Sequence, residues 1–160
     1  MLFKPNFVFN SVCEITPDFL EQQGIKALIL DLDNTLTTHN NPRPADGVLE
    51  WISQMKSSGV KLIILSNNHY PRIKPFADIL GLDFITEARK PLTSGYKRAI
   101  MALGFKKCEI ASVGDQIFTD VLGCNLAGVK CIFTFPIEYE TSFWFRVKRT
   151  IEKPLLPKHK

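Results

Sequence analysis

The chain alternates short apolar runs with segments of helical spacing, and this alternation limits the folds open to it. The first run, IKALILD at 25–31, is apolar over most of its length, which is typical of a parallel strand buried on both faces. Further apolar runs lie at 60–65, 83–86, 109–113 and 129–133. Strands that alternate with helices form parallel sheets. The sequence therefore predicts an α/β fold, a three-layer, Rossmann-like parallel sheet with helices on both faces.

Four helices are predicted between these runs, at 45–58, 70–80, 92–103 and 118–127. A glycine follows each of them directly, as is common where a helix ends. The chain has 160 residues, of which 45% are hydrophobic and 22% charged. This length and composition are typical of one soluble globular domain, here predicted to span 1–160.

Polar residues follow four of the predicted strands. Asp31 ends the first, Ser66 follows the second, Lys90 comes soon after the short third, and Asp115 ends the fourth. The carboxyl ends of parallel strands meet at one edge of the sheet, where ligands bind in such folds. We therefore expect these four residues to converge there.

Four carboxylates near this edge would repel one another unless a cation lay among them: Asp31, Asp33, Asp115 and Asp120. No His or Cys accompanies the set, so a hard, oxygen-preferring ion such as Mg2+ fits best. Ser66 and Lys90 could hold an anion beside that ion. A metal, an anion site and a carboxylate nucleophile together indicate phosphoryl transfer.

Each residue also has an ordinary structural explanation. Asp31 could cap a turn, Asp120 could lie in the first turn of a helix, and Ser66 could belong to a capping loop. These explanations require independent coincidences at four strand ends, so we favour the joint site. His39 and His69 flank the motifs and are expected to be exposed loop residues.

Four segments resemble the motifs of the haloacid dehalogenase (HAD)-like phosphatase superfamily, in the same order: DLDNTLT at 31–37, SNN at 66–68, the lysine of RKP at 89–91, and GDQIFTD at 114–120. Within it, the chain from about Phe7 to Ile151 is similar to the short YqeG-like branch of subfamily IIIA. That branch is similar in turn to mitochondrial phosphatidylglycerophosphate phosphatases.

The resemblance implies a role for each motif residue. Asp31 would be the nucleophile that forms an aspartyl-phosphate, Asp33 the general acid and base, and Lys90 the neutralising cation. The phosphate-binding residues would be Ser66, Asn67 and Thr35, with Thr35 also orienting Asp33 or bracing its loop. The implied Mg2+ ligands are Asp31, the backbone carbonyl of Asp33, Asp115 and Asp120.

The spacing of the motifs leaves no room for the cap domain that many relatives carry. The interval 37–61 holds one loop and one helix, and the interval 68–89 holds one helix and a short strand. The resemblance therefore implies a HAD fold without a cap domain, and its site should be open. Open sites suit large substrates, such as a protein, a nucleic acid end, a polymer or a lipid headgroup.

The segment 141–160 is a basic aromatic C-terminal tail. It holds six of the 20 Lys and Arg residues but only one of the 16 acidic residues. Mixed aromatic and basic side chains suit peripheral contact with an anionic membrane. Alternatively, the aromatic rings pack on the sheet edge and the bases are solvated. A third possibility is that the tail binds single-stranded RNA. No RNA-binding motif is recognisable, so no nucleic-acid partner is expected.

The branch resemblance implies a Mg2+-dependent hydrolase acting on a lipid phosphate, phosphatidylglycerophosphate. The alternatives are a phosphatase of a soluble or macromolecular phosphomonoester, and a non-catalytic binding module. The amino terminus does not resemble a signal peptide, no apolar run approaches about 18 residues, and the four cysteines form no CxxC pair. We expect a cytoplasmic protein, peripheral at the inner face of the membrane. The oligomeric state is not indicated.

Overall fold

The computed structural model describes residues 1–139 and 141–158. Its centre is a six-stranded sheet in which all neighbouring strands run parallel, in the order β1-β6-β5-β2-β3-β4. The strands are β1 Phe7–Phe9, β2 Ala27–Leu30, β3 Lys61–Leu65, β4 Asp83–Ile85, β5 Ile110–Gly114 and β6 Lys130–Thr134. The predicted parallel α/β fold is confirmed. β1, which was not predicted, adds one strand beside β6.

The described residues form six α-helices: α1 Pro17–Gln22, α2 Val48–Ser57, α3 Tyr70–Leu80, α4 Ser94–Leu103, α5 Leu122–Ala127 and α6 Phe143–Glu152. α2 to α5 correspond to the four predicted helices. The fourth differs at its start, because a π-helical turn over Ile117–Val121 precedes α5. α6 lies inside the segment predicted as a tail, of which residues 159 and 160 fall outside the described part.

Apolar side chains of the sheet pack on both of its faces. In β2, Leu28 and Leu30 join the cluster with Trp51 of α2, while Ile29 joins the opposite cluster with Tyr96 of α4. Successive strand residues point to opposite faces, so a strand buried on both sides must be apolar throughout. This explains why the central strands read as continuous apolar runs.

The chain order fixes where a site can form. β2 lies in the middle of the sheet, with β3 on one side and β5 on the other. The chain runs outward from β2 to β4 and then returns to β5, so the strand order reverses between β2 and β5. Loops leaving the carboxyl ends there diverge and open a crevice. Among the described residues, no helix is long and apolar enough to cross a membrane.

Candidate active site

The four predicted strand-end residues meet at the carboxyl edge of the sheet. Asp31 directly follows β2, Ser66 follows β3, Lys90 lies in the loop after β4, and Asp115 follows β5. A pocket of about 250 Å3 opens over this edge. Its lining includes the predicted residues Asp31, Asp33, Ser66, Asn67, Lys90 and Asp120. Asp115 is completely buried behind them.

Lys90 links two of the carboxylates. Its Nζ donates to Asp31 Oδ1 at 2.7 Å and to Asp120 Oδ1 at 2.6 Å, with 4% of the side chain exposed. Burial alone lowers the pKa of Lys90, but the charges of Asp120 and Asp31 raise it well above its usual value. The side chain therefore remains a cation at neutral pH, directly beside Asp31.

Asp31 is held in an environment that opposes its charge. Burial raises the pKa of its carboxyl from 3.8 to about 6, the negative charge of Asp120 adds to this rise, and Lys90 counteracts it. The Thr35 hydroxyl donates to Asp31 Oδ2 at 3.5 Å, which is a long contact. Thr35 thus lies beside Asp31.

Three carboxylates form a cluster that could hold a metal ion. Asp31, Asp115 and Asp120 each offer an oxygen, and these oxygens lie within 4.8 Å of one another. Asp115 Oδ1 is buried and accepts no hydrogen bond from the described residues. Burial raises the pKa of Asp115 well above its usual value, and the charge of Asp31 raises it further, whereas Arg149 opposes the rise. An all-oxygen set with an unpaired buried atom fits a hard divalent cation.

Hydrogen bonds from three residues fix Asp120. In addition to Lys90, the backbone N–H of Gln116 donates to its Oδ2 at 3.1 Å, and the Tyr96 hydroxyl donates to its backbone carbonyl at 3.2 Å. Gly114 permits this position, because a Cβ there would lie 2.4 Å from Asp120 Cγ. Asp120 thereby anchors Lys90 and also contributes to the carboxylate cluster.

The Asp33 side chain is not part of that cluster and is held by other residues. Arg72 of α3 donates from Nη2 to Asp33 Oδ1 at 2.8 Å, and the Asn68 amide donates to Asp33 Oδ2. The backbone turns immediately afterwards, since Asn34 has a left-handed φ of 60°. Asp33 therefore lines the pocket with its carboxylate held in one orientation.

Ser66 and Asn67 have different surroundings. Ser66 is buried, and its hydroxyl accepts from the N–H of Asn68 at 3.1 Å. The Asn67 side chain brackets the backbone of Lys90: its Oδ1 accepts from the Lys90 N–H at 2.7 Å, and its Nδ2 donates to the Lys90 carbonyl at 3.3 Å. Asn67 thus positions the loop that carries Lys90 while also lining the pocket.

The two histidines that flank the motifs differ in their contact with the pocket. His39 lines the pocket, and its ring lies 5.7 Å from that of Phe145. His69 is exposed, and its Nδ1 lies 3.0 Å from Glu87. His39 is therefore the one of the two that contributes to the pocket lining.

Two cations that support this site, Arg72 and Arg149, were not predicted from the sequence. Arg149 of α6 donates to the backbone carbonyl of Asp115 at 2.7 Å and pairs with its carboxylate. It also donates to Glu152 at 3.2 Å. The Arg149–Glu152 spacing of three residues was the available signal, because such a pair marks one side of a helix. For Arg72, the sequence held no comparable signal.

In comparison with known proteins, the chain matches two family models. One, described as haloacid dehalogenase-like hydrolase, matches residues 37–128, and the other, described as mitochondrial PGP phosphatase, matches residues 1–70. The Bacillus subtilis protein "Probable phosphatase YqeG" is 37% identical over 154 residues, covering 96% of this chain and 90% of that protein. Most of the chain is thus similar to one relative.

Two further similarities are more distant. "Phosphatidylglycerophosphatase GEP4, mitochondrial" of Saccharomyces cerevisiae is 27% identical over 148 residues, covering 80% of this chain and 78% of that protein. The crystal structure of an uncharacterized protein from Listeria monocytogenes serotype 4b gives a TM-score of 0.60 at 23% identity, covering 74% of this chain and 85% of that one. This structural likeness supports the fold.

Proposed function

Because the chain belongs to the haloacid dehalogenase-like hydrolase family and is a phosphatase of that family, we propose that it hydrolyses a phosphomonoester through an aspartyl-phosphate on Asp31. The observation that carries this proposal is the Lys90 bridge. It places a buried ammonium against Asp31, within a pocket that also contains Asp33. A carboxylate nucleophile beside a fixed cation suits attack on an anionic phosphoryl group.

In the proposed reaction, Asp31 attacks phosphorus and the bond between phosphorus and the leaving oxygen breaks. Asp33 gives its proton to that oxygen, and the alcohol leaves. Asp33 then takes a proton from a water molecule, whose oxygen attacks the phosphorus of the aspartyl-phosphate. This step releases inorganic phosphate and regenerates Asp31. Positioned proton transfer of this kind contributes about two to four orders of magnitude in rate.

Mg2+ is the proposed cofactor. Asp31, Asp115 and the backbone carbonyl of Asp33 would hold it, with Asp120 completing or orienting this set. The unpaired, buried Asp115 Oδ1 supports the assignment. When bound, the ion would neutralise charge on the phosphoryl oxygens. Lys90 and Ser66 would bind those oxygens from the protein side, and Asn67 would fix the Lys90 loop.

For the substrate, we propose the lipid phosphate phosphatidylglycerophosphate, with the protein peripheral at an anionic membrane. Two similarities support this choice: the match of residues 1–70 to the mitochondrial PGP phosphatase family, and the relative named phosphatidylglycerophosphatase. The absence of space for a cap between the motifs also favours a substrate that the protein does not enclose.

The test is phosphate release from a panel of phosphomonoesters, with Mg2+ and with EDTA. The panel contains phosphatidylglycerophosphate in mixed micelles, a sugar phosphate and a nucleotide. We expect release from the lipid with Mg2+, and loss of release with EDTA or in Asp31→Asn. Efficient release from a soluble ester alone would refute the lipid substrate. Unchanged release by Asp31→Asn would refute the nucleophile.

A further inference from the structure

The inner side of α6 closes one end of the candidate active site. Arg149 bonds to the carbonyl and carboxylate of Asp115, and Phe145 and Lys148 line the pocket. Glu152 is completely buried and accepts a backbone N–H of the π-helical turn at 3.2 Å. These contacts fix which side of α6 faces the protein.

The outer side of α6 is apolar and exposed. It carries Phe143, Trp144, Val147 and Ile151, whose exposed fractions are 70%, 77%, 36% and 58%. At 3.6 residues per turn, these four positions fall within an arc of about 100°. They therefore form a continuous stripe, which we call the outer stripe.

Positive charge borders the outer stripe. Arg146 and Lys153 are exposed on one flank, and Lys148 lies on the other. The one acidic residue between 141 and 158 is Glu152, which is buried and paired with Arg149. Exposed aromatic rings beside these bases match the interface of an anionic bilayer, which accepts rings at headgroup depth and attracts the bases.

The stripe is small for a protein partner. α6 has ten residues and is about 15 Å long. Stable protein interfaces use about 20–30 residues on each side, far more than the four apolar side chains here. A bilayer sets no such minimum, because a few inserted side chains together with lipid charge suffice for peripheral binding.

We propose that the outer stripe docks on the surface of an anionic phospholipid bilayer and holds the pocket one helix diameter, roughly 10 Å, from the headgroups. The inference deepens the proposed function, on which its catalytic purpose rests, although the docking itself requires no turnover. Since the same helix lines the pocket with Phe145 and Lys148, docking through its outer side would leave only the width of α6 between the lipid surface and the site.

Tryptophan fluorescence provides a direct measurement. Trp144 is exposed, whereas Trp51 is buried and donates to the Ile15 carbonyl at 2.8 Å. Vesicles containing phosphatidylglycerol should shift the emission to the blue, because Trp144 leaves water. Trp144→Phe should abolish this shift while the protein still floats with the vesicles. A shift that persists in Trp144→Phe would contradict the proposal.

Vesicle flotation with stripe variants gives the second measurement. Phe143→Ser/Ile151→Ser should weaken partitioning onto phosphatidylglycerol vesicles roughly tenfold or more. Arg146→Gln/Lys153→Gln should weaken it up to roughly thirtyfold, and high salt should mimic that loss. The matched control is Met101→Ser, which removes an apolar side chain that is 83% exposed on α4 and should not change partitioning.

Three results would overturn the proposal: no flotation with phosphatidylglycerol vesicles at low salt, wild-type flotation of Phe143→Ser/Ile151→Ser, or a solution dimer that this double variant dissociates. Asp31→Asn separates docking from catalysis, since it should float like the wild type. Hydrolysis of the lipid in micelles with no vesicle binding would refute the docking alone. Vesicle binding without any phosphatase activity would refute the proposed function alone.

Discussion

Replacing Asp31 by asparagine should stabilise the metal-free protein at neutral pH while abolishing turnover. Burial, together with the charge of Asp120, raises the pKa of Asp31 from 3.8 to about 6 even though Lys90 bonds to it. The ionised carboxylate is therefore less favourable in the folded protein than in the unfolded chain. A rise of this size corresponds to about 3 kcal/mol in the free energy of unfolding.

The direction in which stability changes with pH follows from the number of protons that the folded and unfolded chains bind. Between about pH 4 and pH 6, the folded protein keeps a proton on Asp31 that the unfolded chain releases, so the Asp31 contribution to stability falls as the pH rises. Asparagine has nearly the same shape and no charge to lose. The gain of Asp31→Asn over the wild type should accordingly be small near pH 4 and reach about 3 kcal/mol above pH 7.

Urea unfolding in EDTA, followed by the fluorescence of buried Trp51, measures this difference at about pH 4.5 and pH 7.5. The matched control is Asp46→Asn, which removes an exposed carboxylate and should change stability little at either pH. Adding Mg2+ should then stabilise the wild type, by about 2.7 kcal/mol at a hundredfold excess over Kd, but not Asp31→Asn.

A variant that is no more stable than the wild type at the higher pH would refute the electrostatic reasoning. An equal gain at both pH values would also refute it, because a change in packing does not depend on a proton. Turnover by Asp31→Asn in Mg2+ would show that another group is the nucleophile.

Two further variants test the supports of the site. Arg72→Gln removes the guanidinium that orients Asp33. The kcat should therefore fall roughly tenfold to a hundredfold, with little change in the affinity for inorganic phosphate. An unchanged kcat would show that Asp33 needs no such support. Gly114→Ala should cost about 1–3 kcal/mol in urea unfolding and remove activity, since its Cβ would collide with Asp120. Gly24→Ala, where a Cβ meets nothing within 4 Å but φ is +67°, should cost about 1–2 kcal/mol and leave kcat unchanged.

The sheet was predictable because its central strands are buried on both faces and therefore carry an uninterrupted apolar signal. β1 and α1 give no such signal. β1 has three half-buried residues, and α1 has six residues, of which Leu20 is the buried one. α6 was missed although Phe143, Val147 and Ile151 recur every four residues, which is a helical spacing, and the side that they mark is the one that the protein does not cover.

The motif residues of the site were predictable because each lies at a strand end, where local sequence determines position. The two arginines that support these residues could not be predicted in this way. Arg72 lies 39 residues from Asp33, and Arg149 lies 34 residues from Asp115. Both reach the site from helices whose docking depends on the whole fold. In the sequence, only the spacing of three residues to Glu152 distinguishes Arg149 from the solvated bases of the tail, although Arg149 contacts one of the most deeply buried carboxylates.

These long-range pairs explain how the carboxylates of the site are tolerated and why a divalent cation would stabilise them further. Three cations take part in the ion pairs of the site, Arg72, Lys90 and Arg149, and they serve five carboxylates: Asp31, Asp33, Asp115, Asp120 and Glu152. The ion-paired groups therefore retain a formal charge of −2, most of it out of contact with water. Burial of that excess raises the pKa of Asp31 and of Asp115. One divalent cation would cancel the excess charge, so metal binding and the ionisation of Asp31 should be coupled in this site.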